Sequence, residues 1–404
     1  MIKRESYLAI LRSLRDINAI KVITGVRRSG KSVLMESFRD ELREAVADNV
    51  IYYNLEAKEN DIYLSDPDAL YYQIKAELSP RGINYVFIDE VQMVPEFERM
   101  LDSLFIMPNV DLYVTGSNAY MLSSDLATFL TGRYVEIKMQ PLSFAEFSEF
   151  VPELTDNTLR FQKYMEVGGF PECANMLAQD AEAGIPLYLQ GSYQTIREKD
   201  IQTRKNLRTM EDFRKIYLYC LDNIGSLTSP NNIANVLEAA RLNIDRKTVD
   251  EYLGSLMDCF LIYRADRYDI RGKNILRAGS KYYSVDLGLV HTLLGRSATA
   301  DFGHHLENIV YLELCRRYQN VMVGKNYDRE IDFVVKNAEG EREYYQVAQS
   351  IASPETLERE MASIRSTGDY YRRTILTMDP FDASEKGIRC RNLITWLLEG
   401  EANS

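Results

Sequence analysis

An octapeptide near the start of the chain combines two glycines, a lysine and a terminal serine at a fixed spacing. Residues 25–32 read GVRRSGKS and match G-x-x-x-x-G-K-[ST] at every fixed position. In such a loop backbone N–H groups surround phosphate oxygens, the lysine reaches the β- and γ-phosphates, and the last hydroxyl ligates Mg²⁺. The residues predicted to bind nucleotide phosphates are Gly25, Val26, Arg27, Arg28, Ser29, Gly30, Lys31, Ser32 and Val33.

The segments on either side of this loop support that prediction. An apolar run at 20–24 precedes the loop, and a segment of helical character at 33–42 follows it. A phosphate-binding loop requires this strand–loop–helix setting, because the N-terminus of the helix adds partial positive charge beside the phosphates. A chance Gly-Lys-Ser turn is the alternative, and the flanking segments argue against it.

Two carboxylates follow a second apolar run. Residues 85–88 read YVFI and lead directly into Asp89 and Glu90. Four apolar residues in a row are typical of a parallel strand buried on both faces, and the carboxyl ends of such strands face the ligand cleft. We expect Asp89 to hold Mg²⁺ and Glu90 to polarise the attacking water. The alternative is a strand that ends in solvated acids.

Polar residues also end a third predicted strand, and an arginine follows farther along the chain. Residues 111–115 lead through Gly116 into Ser117 and Asn118, which are candidates for sensing a γ-phosphate or orienting water. A simple turn at the strand end is the alternative for this pair. Arg133 is a candidate arginine finger, acting in cis or from another subunit, or else the partner of a surface acid.

These motifs occur in an order that resembles a known family. The segments concerned are residues 25–32, FIDEVQ at 87–92, TGSN at 115–118, GRY at 132–134 and PLSFAEF at 141–147. Together they resemble the prokaryotic AAA-superfamily ATPases related to the archaeal type, and GGFPE at 168–172 is similar to their helical lid. The resemblance implies ATP as ligand, a winged-helix module, and a C-terminal domain similar to PD-(D/E)xK nucleases.

Composition limits the classes of protein to which the chain can belong. At 404 residues it is long enough for two or three domains, and its net charge of −12 argues against indiscriminate coating of nucleic acid. The five cysteines are widely scattered, without C-x-x-C pairs, and predict buried thiols in a reducing cytosol. No apolar run approaches the length of a membrane span and no secretion signal begins the chain, so we expect a cytoplasmic protein.

The predicted fold class is α/β, divided into four parts. Residues 1–140 alternate strands and helices, as in a doubly wound parallel sheet, and form the predicted P-loop ATPase core. Residues 141–209 are the predicted helical lid and linker. Residues 210–300 carry a helix, a helix-turn-helix spacing and a hairpin, the order of a winged helix. Residues 301–404 form the predicted nuclease-like domain.

The predicted hairpin is basic within an acidic protein. Its basic residues are Arg264, Arg267, Arg271, Lys273, Arg277 and Lys281. Only Asp266 and Asp269 oppose them, and Gly272 supplies a flexible tip. Because neutralised phosphates supply most non-specific affinity, the pattern predicts duplex DNA as a partner of this wing at 264–281. The alternative is a module that packs domains or protomers together.

Three residues of the last part resemble a nuclease metal site. They are Glu307 on a helix, Asp332 on a strand, and Gln346 on the next strand. In active members a lysine stands two positions after the last of these, where this chain has Ala348. The resemblance therefore favours an inactive domain, kept for structure or binding. Neighbouring histidines at 304 and 305 point to different faces of a helix and predict no metal site.

The residues predict an ATPase that hydrolyses ATP with Mg²⁺ by in-line attack of water. Turnover is expected to move the lid and thereby the two following domains. A nucleotide-gated switch with little turnover and an active DNA nuclease are the alternatives. The absence of an N-K-x-D motif favours adenine over guanine. A protein partner and homo-oligomer formation are expected, but the sequence identifies neither.

Overall fold

The computed structural model describes residues 3–45, 49–119, 132–202, 209–242, 244–296 and 301–399. Two compact units divide the chain. The first comprises Met1–Pro141 together with Asp258–Phe260, and the second comprises Leu142–Met257 and Leu261–Ser404. The side chain of Arg277, one of the predicted wing cations, lies outside the described residues.

A five-stranded parallel sheet forms the centre of the first unit. Its strands are β1 (Ile20–Thr24), β2 (Asn49–Asn54), β3 (Asn84–Asp89), β4 (Val110–Gly116) and β5 (Tyr134–Lys138), in the order β2-β3-β4-β1-β5. The helices of this unit are α1 (Glu5–Leu14), α2 (Lys31–Ala45), α3 (Pro67–Glu77) and α4 (Phe97–Phe105). Short 3₁₀ helices occupy Lys58–Leu64 and Val91–Met93. The predicted α/β core with a parallel sheet is confirmed.

Apolar side chains of this sheet divide between two cores. Along β3, Val86 and Ile88 pack with α3 and α4, whereas Tyr85 and Phe87 pack with α1 and α2. All six residues of β3 are buried, as the uninterrupted apolar run predicted. Because the strands are parallel, their carboxyl ends share one edge of the sheet, and this edge carries the residues that follow β1, β3 and β4.

The second unit begins with helices. They are α5 (Phe144–Phe150), α6 (Asn157–Val167), α7 (Pro171–Ala178) and α8 (Ile185–Thr195), and a π-helix follows at Ile196–Gln202. A capping box starts α5: the Ser143 hydroxyl accepts from the Glu146 N–H, and the Glu146 carboxylate accepts from the Ser143 N–H. The mainly helical character predicted for this stretch is confirmed, and its role as a lid stays a prediction.

Three more helices and a hairpin follow. They are α9 (Met210–Asp222), α10 (Pro230–Ala239), α11 (Arg246–Asp258), and the antiparallel strands β6 (Ile262–Asp269) and β7 (Asn274–Ser284). Ser229 caps α10 by accepting from the N–H of Asn232, as expected for a serine before a helix that starts with proline. The order of elements agrees with that predicted from the sequence, and the name winged helix stays a prediction.

A seven-stranded mixed sheet joins this hairpin to the last part of the chain. Its remaining strands are β8 (Met322–Asn326), β9 (Arg329–Lys336), β10 (Arg342–Ala348), β11 (Arg372–Thr377) and β12 (Ile388–Asn392), in the order β12-β11-β10-β9-β8-β6-β7. The accompanying helices are α12 (Leu287–Leu294), α13 (Phe302–Arg317), α14 (Pro354–Arg365) and α15 (Leu393–Leu398). Strand β6 pairs in parallel with β8, so a single sheet contains strands from both sides of the predicted domain boundary at 300/301. No helix among the described residues is both long and apolar enough to span a bilayer.

Candidate nucleotide-binding site

The loop between β1 and α2 has a backbone that only glycine can adopt at its first position. Gly25 has a φ of 150°, and a Cβ atom there would lie 2.0 Å from the carbonyl oxygen of Met139. Gly30, immediately before α2, has a φ of 98°. The two glycines of the motif thus allow the chain to turn tightly from the strand into the helix. This geometry is the one that the spacing predicted.

Lys31 lies inside the loop and is buried. Its ammonium donates to the carbonyl oxygens of Gly25 at 3.0 Å and Val26 at 3.2 Å. The same nitrogen lies 3.8 Å from a carboxylate oxygen of Glu90. The first turn of α2 therefore presents a cation to the tip of β3, as a lysine that reaches phosphate must do.

Asp89, at the end of β3, is tied to both neighbouring motifs. It accepts hydrogen bonds from the hydroxyl of Thr115 on β4 and from that of Ser32 on α2. Burial is the largest influence and raises the pKa of Asp89, as the charge of Glu90 also does, while the two hydroxyls and Lys31 oppose the rise. Asp89 and Ser32 thus bring together two oxygen donors of the kind that Mg²⁺ prefers, and the residues fit the predicted metal.

Glu90 follows in a left-handed backbone conformation. Its φ is 55° and its ψ is 47°, and its N–H donates to the Thr115 hydroxyl at 2.8 Å. The side chain accepts a hydrogen bond from the amide of Gln92. A non-glycine residue with positive φ costs free energy, and such strained positions are enriched at functional sites. This turn directs the Glu90 carboxylate toward Lys31.

Arg27, which the sequence predicts to bind nucleotide phosphates as part of the loop, also contacts residues outside the loop. Its guanidinium is buried and donates to Glu56, just beyond β2, at 2.6 Å. The second terminal nitrogen lies 3.4 Å from the Ser117 hydroxyl and 3.9 Å from Glu90. Arg27 therefore connects the loop to residues that follow β2, β3 and β4. No motif spacing predicts these contacts.

The two candidate sensing residues have different neighbours. Both are buried after β4, and the Ser117 hydroxyl accepts from the Gln92 amide at 3.3 Å. Ser117 thus joins the cluster around Glu90. The Asn118 amide instead contacts the Cys259 thiol at 3.7 Å. The sensing role of either residue stays a prediction.

Arg133 pairs with a surface acid. Its guanidinium, with a side chain that is 44% exposed, forms an ion pair with Asp102 of α4. The carbonyl oxygen of Arg133 accepts from Ile20, the first residue of β1, so Arg133 lies at the edge of the sheet opposite the phosphate loop. This position does not bring it to the loop of its own chain, and a role across a subunit boundary stays a prediction.

The buried side chain of Arg4 links the phosphate loop to the segment that follows β5. Arg4 donates to the carbonyl oxygens of Ser29 in the loop at 3.3 Å and Gln140 after β5 at 2.7 Å. It also reaches the carbonyl oxygen of Pro141 at 3.3 Å. No pattern in the sequence indicates this role, because arginine side chains are usually exposed.

In the second unit, the predicted nuclease-like residues lie close together. The N–H of Asp332 points to the Gln346 side-chain oxygen at 3.4 Å, and an Asp332 carboxylate oxygen accepts from Val347 at 2.8 Å. Desolvation, followed by the charge of Glu307, raises the pKa of Asp332 well above its ordinary value, and Lys281 opposes this rise. The predicted grouping of Glu307, Asp332 and Gln346 is therefore present. Its chemical role is untested.

An ammonium group reaches this cluster from the hairpin. Lys281 on β7 donates to Glu307 at 2.8 Å and lies 2.7 Å from a carboxylate oxygen of Glu330. Tyr283, two residues farther on the same strand, donates to the same Glu307 oxygen at 2.6 Å. The expectation that Lys281 contributes to an exposed basic wing is wrong, because its side chain is only 5% exposed. Its burial depends on strands and helices that follow it in the chain.

The remaining described cations of the hairpin are closer to the surface. Arg271 and Lys273 at the tip are exposed, and the Arg271 guanidinium stacks over Tyr327 at 4.3 Å. Arg264 pairs with Asp266 at 3.0 Å, and Arg267 is half-buried. Arg271 and Lys273 therefore place two exposed positive charges at the tip of the hairpin.

Family models match two parts of the chain. A family model described as an AAA domain matches residues 17–148. This range includes the whole phosphate loop and the strands β3 and β4. A second model, described as a domain of unknown function (DUF8612), matches residues 158–300. The AAA-domain match covers all five strands of the parallel sheet in the first unit.

Relatives extend the similarity to the whole chain. The chain belongs to the same family as an uncharacterized protein of Haemophilus influenzae, with 37% identity and coverage of 99% of both chains. An uncharacterized protein of Methanocaldococcus jannaschii is 29% identical over 79% of this chain and 72% of its own. A solved Walker-type ATPase of Pyrococcus abyssi shares the fold with a TM-score of 0.50, at 16% identity, over 73% of this chain and 96% of that chain.

Proposed function

We propose that this protein is a Mg²⁺-dependent ATPase whose turnover moves a helical lid, a winged helix and a nuclease-like domain. One observation carries the proposal: Lys31, Ser32, Asp89 and Glu90 meet at the carboxyl edge of the parallel sheet, joined by direct contacts. A cation, two oxygen donors and a further carboxylate are the groups that phosphoryl transfer to water requires. The absence of a guanine-reading motif supports ATP as the substrate.

The proposed reaction assigns a task to each of these residues. Loop N–H groups and the Lys31 ammonium bind the phosphates and stabilise the charge that develops on them. Ser32 and Asp89 would hold Mg²⁺, which when bound neutralises charge on the phosphate oxygens. Glu90 orients a water whose oxygen attacks the γ-phosphorus. The bond to the bridging oxygen breaks, its electron pair leaves with ADP, and the water proton passes through Glu90 to solvent.

The test uses two variants that fail at different steps. Lys31→Ala is expected to lose ATP binding, because the loop then lacks the cation that contacts the phosphates. Glu90→Gln is expected to bind ATP but to hydrolyse it about a hundredfold more slowly, as is typical when a general base is lost. Binding is measured by calorimetry with Mg²⁺ and turnover by phosphate release. Hydrolysis that neither variant reduces would remove the proposal.

A nucleotide-gated switch with little turnover is the second candidate. It is supported by the hydrogen bond from Gln92 to Glu90, since a carboxylate oxygen that already accepts a hydrogen bond is less available to an attacking water. Single-turnover hydrolysis separates the two candidates. Retention of ATP without conversion over many minutes favours the switch, whereas rapid conversion favours the ATPase.

Four further proposals concern partners and location. The exposed charge of Arg271 and Lys273 supports duplex DNA as a ligand of the hairpin. All five cysteines are free thiols, which supports a reducing, cytoplasmic location. A homo-oligomer in which Arg133 acts across the subunit boundary, and an additional protein partner, remain proposals drawn from the sequence alone.

A further inference from the structure

Arg27 occupies the side of the phosphate loop that faces the candidate catalytic residues. It is the third residue of the loop, and its guanidinium spans from Glu56 to Ser117 and Glu90. These three partners follow β2, β4 and β3, respectively, so all of them belong to the carboxyl edge of the sheet. An arginine held there is directed toward the position where hydrolysis takes place.

The two terminal nitrogens of Arg27 are engaged to different extents. One makes a charge-assisted hydrogen bond of 2.6 Å with Glu56. The other has contacts of 3.4 Å with Ser117 and 3.9 Å with Glu90, which are longer than the usual 2.7–2.9 Å of such bonds. One terminal nitrogen therefore pairs with Glu56, while the other lies beside Glu90 and Ser117, on the side of the guanidinium that faces the candidate catalytic carboxylate.

Two cations converge on one carboxylate. Lys31 lies 3.8 Å from one oxygen of Glu90, and Arg27 lies 3.9 Å from the other. Lys31 is the residue that reaches the β- and γ-phosphates in loops of this type. Since both cations approach the same anion, a γ-phosphoryl group bound by Lys31 also comes within reach of Arg27. The γ-phosphoryl group carries more negative charge than the Glu90 carboxylate, and this charge favours contact of the phosphoryl group with both cations.

We propose that Arg27 is a catalytic residue supplied in cis, which contacts the γ-phosphoryl group and stabilises the charge of the transition state. Glu56 is its positioning residue, because the bond between them fixes the plane of the guanidinium. The planar fork of arginine suits two phosphoryl oxygens at once, which a lysine ammonium cannot bind in the same way. This inference rests on the proposed ATPase function, and it assigns to Arg27 the role that the sequence suggested for Arg133.

The decisive variants change the charge or the shape of this one side chain. In Arg27→Gln the affinity for a non-hydrolysable ATP analogue should fall about tenfold or more, because a hydrogen bond to a charged group is lost. The affinity for ADP should stay near that of the wild type. Single-turnover hydrolysis should fall about a hundredfold or more. Arg27→Lys should recover part of the binding but little of the rate. Glu56→Gln should lower the rate less than Arg27→Gln.

Arg99→Gln is the matched control, because Arg99 lies on α4 with a side chain that is 74% exposed and pairs with Glu96. It should leave the affinities and the rate unchanged. Near-normal ADP binding by Arg27→Gln shows that the variant is folded. If Arg27→Gln leaves both the ratio of triphosphate to diphosphate affinity and the hydrolysis rate unchanged, the inference about Arg27 is overturned, but the proposed ATPase function is not. Faster hydrolysis by Arg27→Gln also overturns it, since Arg27 would then restrain Glu90. A wild type that binds no nucleotide overturns both.

Discussion

Lys281 and Glu307 form a buried ion pair, with 2.8 Å between the ammonium nitrogen and a carboxylate oxygen. The two residues come from a hairpin strand and from a helix that lies on the other side of the predicted boundary at 300/301. Burial lowers the pKa of Lys281, but the charges of Glu307, Asp332 and Glu330 together raise it above its ordinary value. The Lys281 ammonium therefore keeps its charge, and its bond to Glu307 joins the hairpin to the helix.

Removing this ammonium should destabilise the second unit. Lys281→Met leaves Glu307 and Glu330 facing each other without a cation, and a broken buried pair costs about 3–5 kcal/mol. Trp396 is the single tryptophan of the chain and is buried on α15, so its fluorescence during urea unfolding reports on this unit. Lys247→Met is the control, since its side chain is 88% exposed. Equal midpoints for both variants would contradict this account.

The same contacts predict that the nuclease-like cluster does not cut DNA. Ala348 stands where the resemblance to PD-(D/E)xK nucleases would require a lysine, and the Lys281 ammonium is engaged by two carboxylates. Glu307 already accepts from Lys281 and Tyr283 through one oxygen. Supercoiled plasmid incubated with Mg²⁺ or Mn²⁺ should stay intact with the wild type and with Asp332→Asn alike. Cutting by the wild type that Asp332→Asn abolishes would establish an active site.

Sequence reasoning could predict the strands and the loop that form the candidate nucleotide-binding site, because each of these elements depends on local patterns. Uninterrupted apolar runs predicted β1 and β3. Because these strands were predicted to be parallel, the residues that follow them were expected at the same edge of the sheet. The fixed spacing of the loop then located Lys31 and Ser32. These inferences need no knowledge of distant partners.

The side-chain contacts that sequence reasoning missed or misjudged depend on distant partners. Arg27 meets Glu56, Glu90 and Ser117, which are brought to it only by the order of the strands. Lys281 looked like one more solvated charge in a basic hairpin, and only the packing of α13 and β9 buries it. A sequence reports the charge of a side chain, but its burial is a property of the assembled sheet.

Asp286 provides a test based on pH. Burial raises the pKa of this carboxyl to about 6, although the N–H groups of Gly169 and Leu289, among others, oppose the rise. The folded state therefore holds a proton that the unfolded state releases near pH 3.8, so this contribution to stability is present at low pH and is lost as pH rises through 6. Two pKa units correspond to about 3 kcal/mol at most.

The matching variant is Asp286→Asn, which keeps a side-chain oxygen but does not titrate. The difference in free energy of unfolding between wild type and variant should change across pH 4–6 and level off above it, with the wild type losing stability relative to the variant. Trp396 fluorescence during urea unfolding again gives the measurement. A difference that is constant with pH would show that Asp286 has the same pKa in both states.

The tip of the hairpin should determine how DNA binding depends on salt. Arg271 and Lys273 are exposed there, and each phosphate contact contributes about 0.9 to the slope of log affinity against log salt. Replacing both with alanine should weaken binding to duplexes of any sequence and reduce the slope by about 1 to 2. Fluorescence anisotropy with a labelled duplex at several salt concentrations measures both quantities. Arg99→Ala on the first unit serves as the control, and an unchanged slope in the double variant would mean that the hairpin packs against protein instead.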